Sequence, residues 1–168
     1  CMLALKITDI KDFTNKLLAG DTFDSFCMVE STVTTFNTFT IDGTLHLDFF
    51  DTDTCNILNE KSIHYSFWKD IRPFFYSIIR GKRVPLNFKI VLGLSQNQIA
   101  SVAEKTSGQI SPENIHGLYF NIQYKNEILL CTTGTSLKIF FPDKSLEQAW
   151  DAAVLDFLHK HQILFEEL

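Results

Sequence analysis

The sequence predicts an α+β protein, internally duplicated, with a mainly antiparallel sheet covered by helices on one side. Three observations lead there. Short runs of β-branched and aromatic residues alternate with segments of helical spacing. The order of those segments in the first half recurs in the second. The 168 residues are 45% hydrophobic and 13% aromatic, enough to bury one substantial core without disulfides or metal.

Taken in order, MLALKI (residues 2–7) reads as a strand. Thr8 and the acidic first turn of DIKDFTNKLLAG then start a helix with Ile10, Phe13, Leu17 and Leu18 on one face and Gly20 as its stop. SFCMVESTV and TFNTFTI read as strands, the second with period-two alternation. Asp42-Gly43 between FTI and TLHLDFF predicts a type I′ hairpin, and so a three-strand meander. Residues 51–61 read as a polar loop, and SIHYSFW as a fourth strand with Ile63, Tyr65 and Phe67 on one face. Asp70 is expected to cap a helix with Pro73 in its first turn, an apolar face of Phe74, Phe75, Ile78 and Ile79, and Gly81 as its stop.

The second half opens with PLNFKIVLGL as a strand, followed by a helix capped by Ser95 and ended by Gly108. GLYFNIQY and EILLCTT are strands joined at Lys125-Asn126, TSLKIFF is a further strand after a turn or bulge centred on Gly134, and Pro142-Asp143 breaks it. Ser145 begins a closing helix with Leu146, Trp150, Val154, Phe157 and Leu158 on one face.

Each half therefore reads strand, helix, three or four strands, helix. An offset of 83 places Leu5, Lys6 and Ile7 on Phe88, Lys89 and Ile90, and Ile41, Asp42 and Gly43 on Tyr124, Lys125 and Asn126. The two tryptophans, Trp68 and Trp150, lie 82 apart, each with a Phe seven positions on. The expected organisation is one domain over 1–168 with repeats at about 2–81 and 85–161.

The stretch from FKIVLGLSQNQIASVAEKTSG to GLYFNIQYKNEILLCTTGTSLKIFF resembles the strand, helix and three-strand motif of DNA sliding clamps, and the duplicated order with a terminal helix is also similar to TATA-binding proteins. These are likenesses of element order, which recurs across unrelated functions. The whole chain, from LALKITDIKDF through IRPFFYSIIRGKR to DKSLEQAWD, resembles a family of uncharacterised bacterial proteins with no assigned activity.

A net charge of −5 and a pI near 5.5 supply no global field for nucleic acid or anionic membrane. No apolar run approaches the roughly 18 residues that span a bilayer, so no membrane partner is expected. Cys1 directly before Met2 reads as an addition ahead of the natural start, leaving Cys27, Cys55 and Cys131, an odd number that points to reduced thiols in the cytoplasm.

Candidate chemistry is sparse. Residues 131–136 (CTTGTS) carry one Gly and no Gly-Lys pair, so a turn is expected rather than a phosphate loop. DTDTCNILNE begins like a calcium loop at Asp51 and Asp53, but Asn56 stands where Gly is needed and Ser62 where a bidentate Glu belongs; these aspartates are weak metal candidates at best. The five His lack zinc spacing, and no Gly-x-Ser-x-Gly elbow occurs. Cys27 and Cys131 read as small core residues, with a Cys131–His nucleophile pair as the competing reading. No catalytic residue and no cofactor is expected.

One basic concentration remains, Lys69, Arg72, Arg80, Lys82 and Arg83, interleaved with Trp68, Phe74, Phe75 and Tyr76. Charge plus aromatics suits nucleic acid or another anion, although the helical spacing assigns those aromatics to the core. The expected function is a non-enzymatic cytoplasmic binding or scaffold module, clamp-like, engaging protein or nucleic acid. The alternative is a small-molecule-binding protein or enzyme with a cleft between the repeats.

Overall fold

A computed structural model describes residues 3–81, 83–106 and 110–168. Seven strands, β1 (Ala4–Ile7), β2 (Cys27–Thr34), β3 (Thr38–Asp42), β4 (Asn87–Gly93), β5 (Ile115–Lys125), β6 (Ile128–Leu137) and β7 (Phe165–Glu167), form one sheet in the order β3-β2-β4-β5-β6-β1-β7. Every neighbouring pair is antiparallel. The helices are α1 (Ile10–Thr14), which continues as a π-helical turn over Asn15–Ala19, α2 (Thr52–Glu60), α3 (Trp68–Ile79), α4 (Gln96–Ala103) and α5 (Ser145–Lys160). The fold class is α+β.

One sheet face is apolar because the strands alternate: Phe88, Ile90 and Leu92 of β4 pair across to Tyr124, Ile122 and Phe120 of β5, while Lys89 and Gln123 point the other way into water. Helices α1, α3, α4 and α5 contribute buried residues to this face. Helix α2 contributes none. Phe23 joins α1, the sheet and α5, with ring centroids 5.5 Å from Phe13, 6.3 Å from Phe120 and 5.4 Å from Phe157.

Several expectations hold. Ser95 forms a capping box with Gln98 at the start of α4, and α5 spans the predicted residues with Leu146, Trp150, Val154 and Leu158 buried. The hairpin after Lys125 is a type I′ turn: Asn126 and Glu127 both take positive φ, 53° and 63°, and Lys125 pairs with Ile128. Gly108 lies outside the described residues.

Others are corrected. Asp42-Gly43 makes no hairpin; β2 and β3 are joined at residues 35–37 instead. Gly43 is needed because the chain leaving β3 crosses the bulge of β2 between Met28 and Glu30, where its N–H donates to the Val29 carbonyl (2.9 Å) and a Cβ would fall on the Met28 carbonyl oxygen. Residues 47–49 form a 3₁₀ turn, not a strand. The 51–61 loop is mostly α2, since Asp51 caps it by accepting the Thr54 amide at 2.7 Å. Residues 63–67 form only single bridges, Tyr65 to Thr44 and Phe67 to Cys27. Each half thus has two strands between its helices rather than three or four.

Helix α3 starts at Trp68, two residues before Asp70, because the Trp68 amide is drawn to the Phe26 carbonyl (2.8 Å). Pro73 then falls inside the helix, tolerated because the Lys69 carbonyl it deprives of a partner belongs to an exposed residue. Gly134 lies within unbroken β6, opposite Tyr119, and there is no turn there. Strand β7 has only three residues, two of them Glu, and no period-two signal announces it.

The two glycines give opposite expectations. Gly43→Ala forces backbone apart and lowers unfolding free energy by about 3 kcal/mol. At Gly134 the nearest atoms to an added Cβ are 3.8 Å and 3.9 Å away and φ is not positive, so Gly134→Ala stays within about 1 kcal/mol of wild type, on the stabilising side. Denaturant titrations of both variants check this; a Gly134→Ala loss as large as that of Gly43→Ala would restore a turn in β6.

Candidate functional site

The basic residues singled out from the sequence do not act as one cluster. Arg72 turns inward: its Nε and Nη2 donate to the two carboxylate oxygens of Asp24 at 3.0 Å and 2.9 Å, and Nη1 donates to the Leu18 carbonyl at 3.4 Å. Both partners of this fork are about four-fifths buried, so Arg72 fastens α3 to the segment after α1. Lys69 stands exposed on α3, and Lys82 lies outside the described residues.

Arg80 and Arg83 come together around a groove. Helix α3 ends at Ile79, Gly81 takes a φ of 151°, and the chain then runs through Val84, Pro85 and Leu86 to β4. On one side of this segment a cavity of about 800 Å³ is walled by Ile10, Leu18, Tyr76, Ile79 and Val84, over a floor of Phe88 and Tyr124. On the other side a second cavity, about 640 Å³, lies between Ile78, Leu86 and Phe36 at the tip of the β2–β3 hairpin. Ile79, Gly81, Arg83 and Val84 line both, so the two form one continuous surface.

Its apolar side chains are unusually open to water: Phe36 is 86% exposed, Val84 78% and Leu86 68%. The charged lining is Lys11, Arg80 and Arg83, with no carboxylate among the described lining residues of either cavity, in a chain whose net charge is −5. The π-helical turn supplies Asn15, Leu18 and Ala19 to the wall, closed by the Gly20 N–H donating to the Asn15 carbonyl at 2.8 Å. Such single π turns widen a helix and recur at functional sites.

Sequence periodicity missed this site in two ways. Phe74 and Tyr76, assigned to the apolar face of α3, are 66% and 47% exposed, since the helix turns Trp68 and Phe75 into the core instead. Phe36 and Leu86 fall in two different segments that read as strands, and Val84 falls in neither. The available signal was RVPL, an apolar run beside a Pro and after a basic turn, too short to be a strand of its own.

The remaining candidates have other roles. Asp51 caps α2, and hydrogen bonds from the Thr54 side chain and amide hold its carboxyl below the usual carboxylate range. The cap is therefore fully present above about pH 4 and is lost as pH falls through the depressed value. Asp53 lies in the first turn of α2, and among the described residues no group of three or more His, Cys, Asp or Glu is placed to hold a metal. Cys27 and Cys131 are buried thiols; burial raises Cys27 to about 11 and pushes Cys131 further up, so neither supplies a thiolate at neutral pH. His116 is exposed, and His161 lies against Phe157 with ring centroids 4.4 Å apart.

Residues 16–166 match a family of unknown function, DUF5721, which covers the groove except Ile10, Lys11, Thr14 and Asn15. The chain belongs to this family. No curated protein and no solved structure matches it, so the likeness to sliding clamps and TATA-binding proteins rests on element order alone. Among the described residues no helix is long and apolar enough to cross a membrane.

The two classes of arginine separate experimentally. Arg72→Ala should lower stability by about 2 kcal/mol, since it leaves Asp24 buried without its fork. Arg80→Ala and Arg83→Ala should each stay within about 0.5 kcal/mol of wild type. Chemical denaturation of the three variants measures this, and equal losses would place Arg80 and Arg83 in the structural framework.

Proposed function

We propose that this protein is a non-enzymatic binding module whose working surface is the groove around residues 79–86, and that its occupant is an acidic, amphipathic segment of a partner protein. The observation that carries this reading is the pairing of open apolar side chains, Phe36, Val84 and Leu86, with a cationic rim of Lys11, Arg80 and Arg83 and no carboxylate among the described lining residues. Apolar anchors enter the cavities and acidic neighbours meet the rim, an arrangement that sets affinity by burial and register by charge. The polar side chains among the described lining residues are hydroxyls, an amide and cations, a set that pairs no acid with a base.

Nucleic acid is the second reading, favoured by Phe74 and Tyr76, which stand exposed on α3 with Lys69. The volume of the groove favours protein, because a cavity of about 800 Å³ takes bulky side chains whereas bases stack on flat aromatic platforms. Three free thiols support a cytoplasmic setting. We also take the halves as one duplicated unit: Trp68 and Trp150 are both buried on helices, and each indole N–H donates to a backbone carbonyl, Leu17 at 2.8 Å and Tyr119 at 2.9 Å.

Fluorescence anisotropy tests the reading with a labelled peptide of about twelve residues that alternates Leu and Phe with Glu and Asp. It should bind the wild-type protein, and Arg80→Glu with Arg83→Glu should weaken binding at least about tenfold at unchanged melting temperature. Equal binding of a Lys-for-Glu control peptide would overturn the charge complementarity. Tighter, salt-sensitive binding of oligo-dT would assign the surface to nucleic acid.

A further inference from the structure

A further cavity lies away from the groove and shares no described lining residue with it. It opens between α4 and α5, above β5, with a volume of about 240 Å³. Phe26, Phe120, Trp150 and Phe157 wall it, and the Phe26 and Phe157 rings meet edge to face at 5.3 Å. Native cores keep few voids larger than a water molecule, and an apolar cavity of roughly 150 Å³ in another protein already holds benzene. This one is larger and aromatic, with Ser25 and Ser101 exposed at its mouth.

Charge narrows the ligand class. No Asp, Glu, Lys, Arg or His is among the described lining residues, so a charged ligand entering the cavity would lose its hydration without gaining a counter-ion. Of the non-aromatic polar side chains in the described lining, Gln98 is the one that is not exposed. Its Oε1 already accepts the Ser95 amide at 2.9 Å and the Ser95 hydroxyl at 3.1 Å, which leaves the Nε2 hydrogens as the function it presents to a ligand. The Trp150 indole N–H is likewise committed, to the Tyr119 carbonyl at 2.9 Å, so Trp150 offers only its ring.

We infer that this cavity is a binding site for a small uncharged molecule with an aromatic or short acyl body and one hydrogen-bond acceptor, its body between Phe26, Phe157 and Trp150 and its acceptor on Gln98 Nε2. The inference is independent of the groove and of what occupies it.

The probe is prodan, an uncharged naphthalene ketone whose emission shifts to the blue in apolar surroundings. It should bind saturably at one site per chain, with blue-shifted emission and quenching of Trp150 fluorescence by energy transfer to the bound probe. Ala153→Phe, which fills the cavity from α5, should weaken binding at least about tenfold. Gln98→Glu keeps an acceptor for the Ser95 cap but replaces the donor with a negative charge, and should weaken binding about tenfold at unchanged melting temperature; it decides the matter should Ala153→Phe fail to fold. Emission that never saturates, or saturable binding that neither variant alters, would overturn the inference and leave only adhesion to exposed apolar surface.

Discussion

Strand β2 changes register between Met28 and Glu30, and the groove follows from that bulge. The extra residue bends the strand where Gly43 crosses it, and the Gly43 carbonyl accepts the Ser66 amide at 2.8 Å. Ser66 in turn accepts the Met28 amide at 2.8 Å, and Phe26 accepts the amide of Trp68. Helix α3 therefore begins at a place dictated by β2. With Trp68 buried and its indole N–H on the Leu17 carbonyl, the axis of α3 is set against the π turn after α1. The far end of the same helix is where Ile79 and Arg80 border the groove.

The Arg72–Asp24 fork belongs to this framework. A bidentate pair four-fifths out of water is held by geometry as well as charge, and it locks α3 one turn beyond Trp68. Its residue type made Arg72 look like a neighbour of Arg80 and Arg83 in function. Burial separates them: the inward arginine is matched by a carboxylate, whereas the outward pair faces a lining with none among its described residues. The same distinction divides the sixteen Phe, of which Phe36, Phe49, Phe74 and Phe140 stand exposed while Phe13, Phe23 and Phe26 build the seam between α1, the sheet and α5.

The two cavities differ in kind. The groove is wide, cationic at its rim and made by a connecting segment, the sort of surface loops supply for macromolecular partners. The cavity between α4 and α5 is smaller, has no charged residue among its described lining, and is walled mainly by buried side chains of α4, α5 and β5 together with Phe26 just before β2. The two lie over one sheet, with Phe88 at the floor of the groove on β4 and Phe120 in the cavity wall on the adjacent β5.

What the sequence determined by itself is local. Alternation in β4 and β5, the Ser95 box, the face of α5 and the hairpin after Lys125 are legible because each depends on residues within a few positions of one another. Asp42-Gly43 and Gly134 were misread for the converse reason. A glycine can serve a left-handed turn, a close backbone crossing or a plain strand position, and only the partner segment decides which. The strand order, the short β7 beside β1, the inward turn of Arg72 and the meeting of Phe36, Arg80 and Val84 were decided by tertiary structure. They rest on contacts between residues tens of positions apart, whose energies of burial and pairing no local pattern contains.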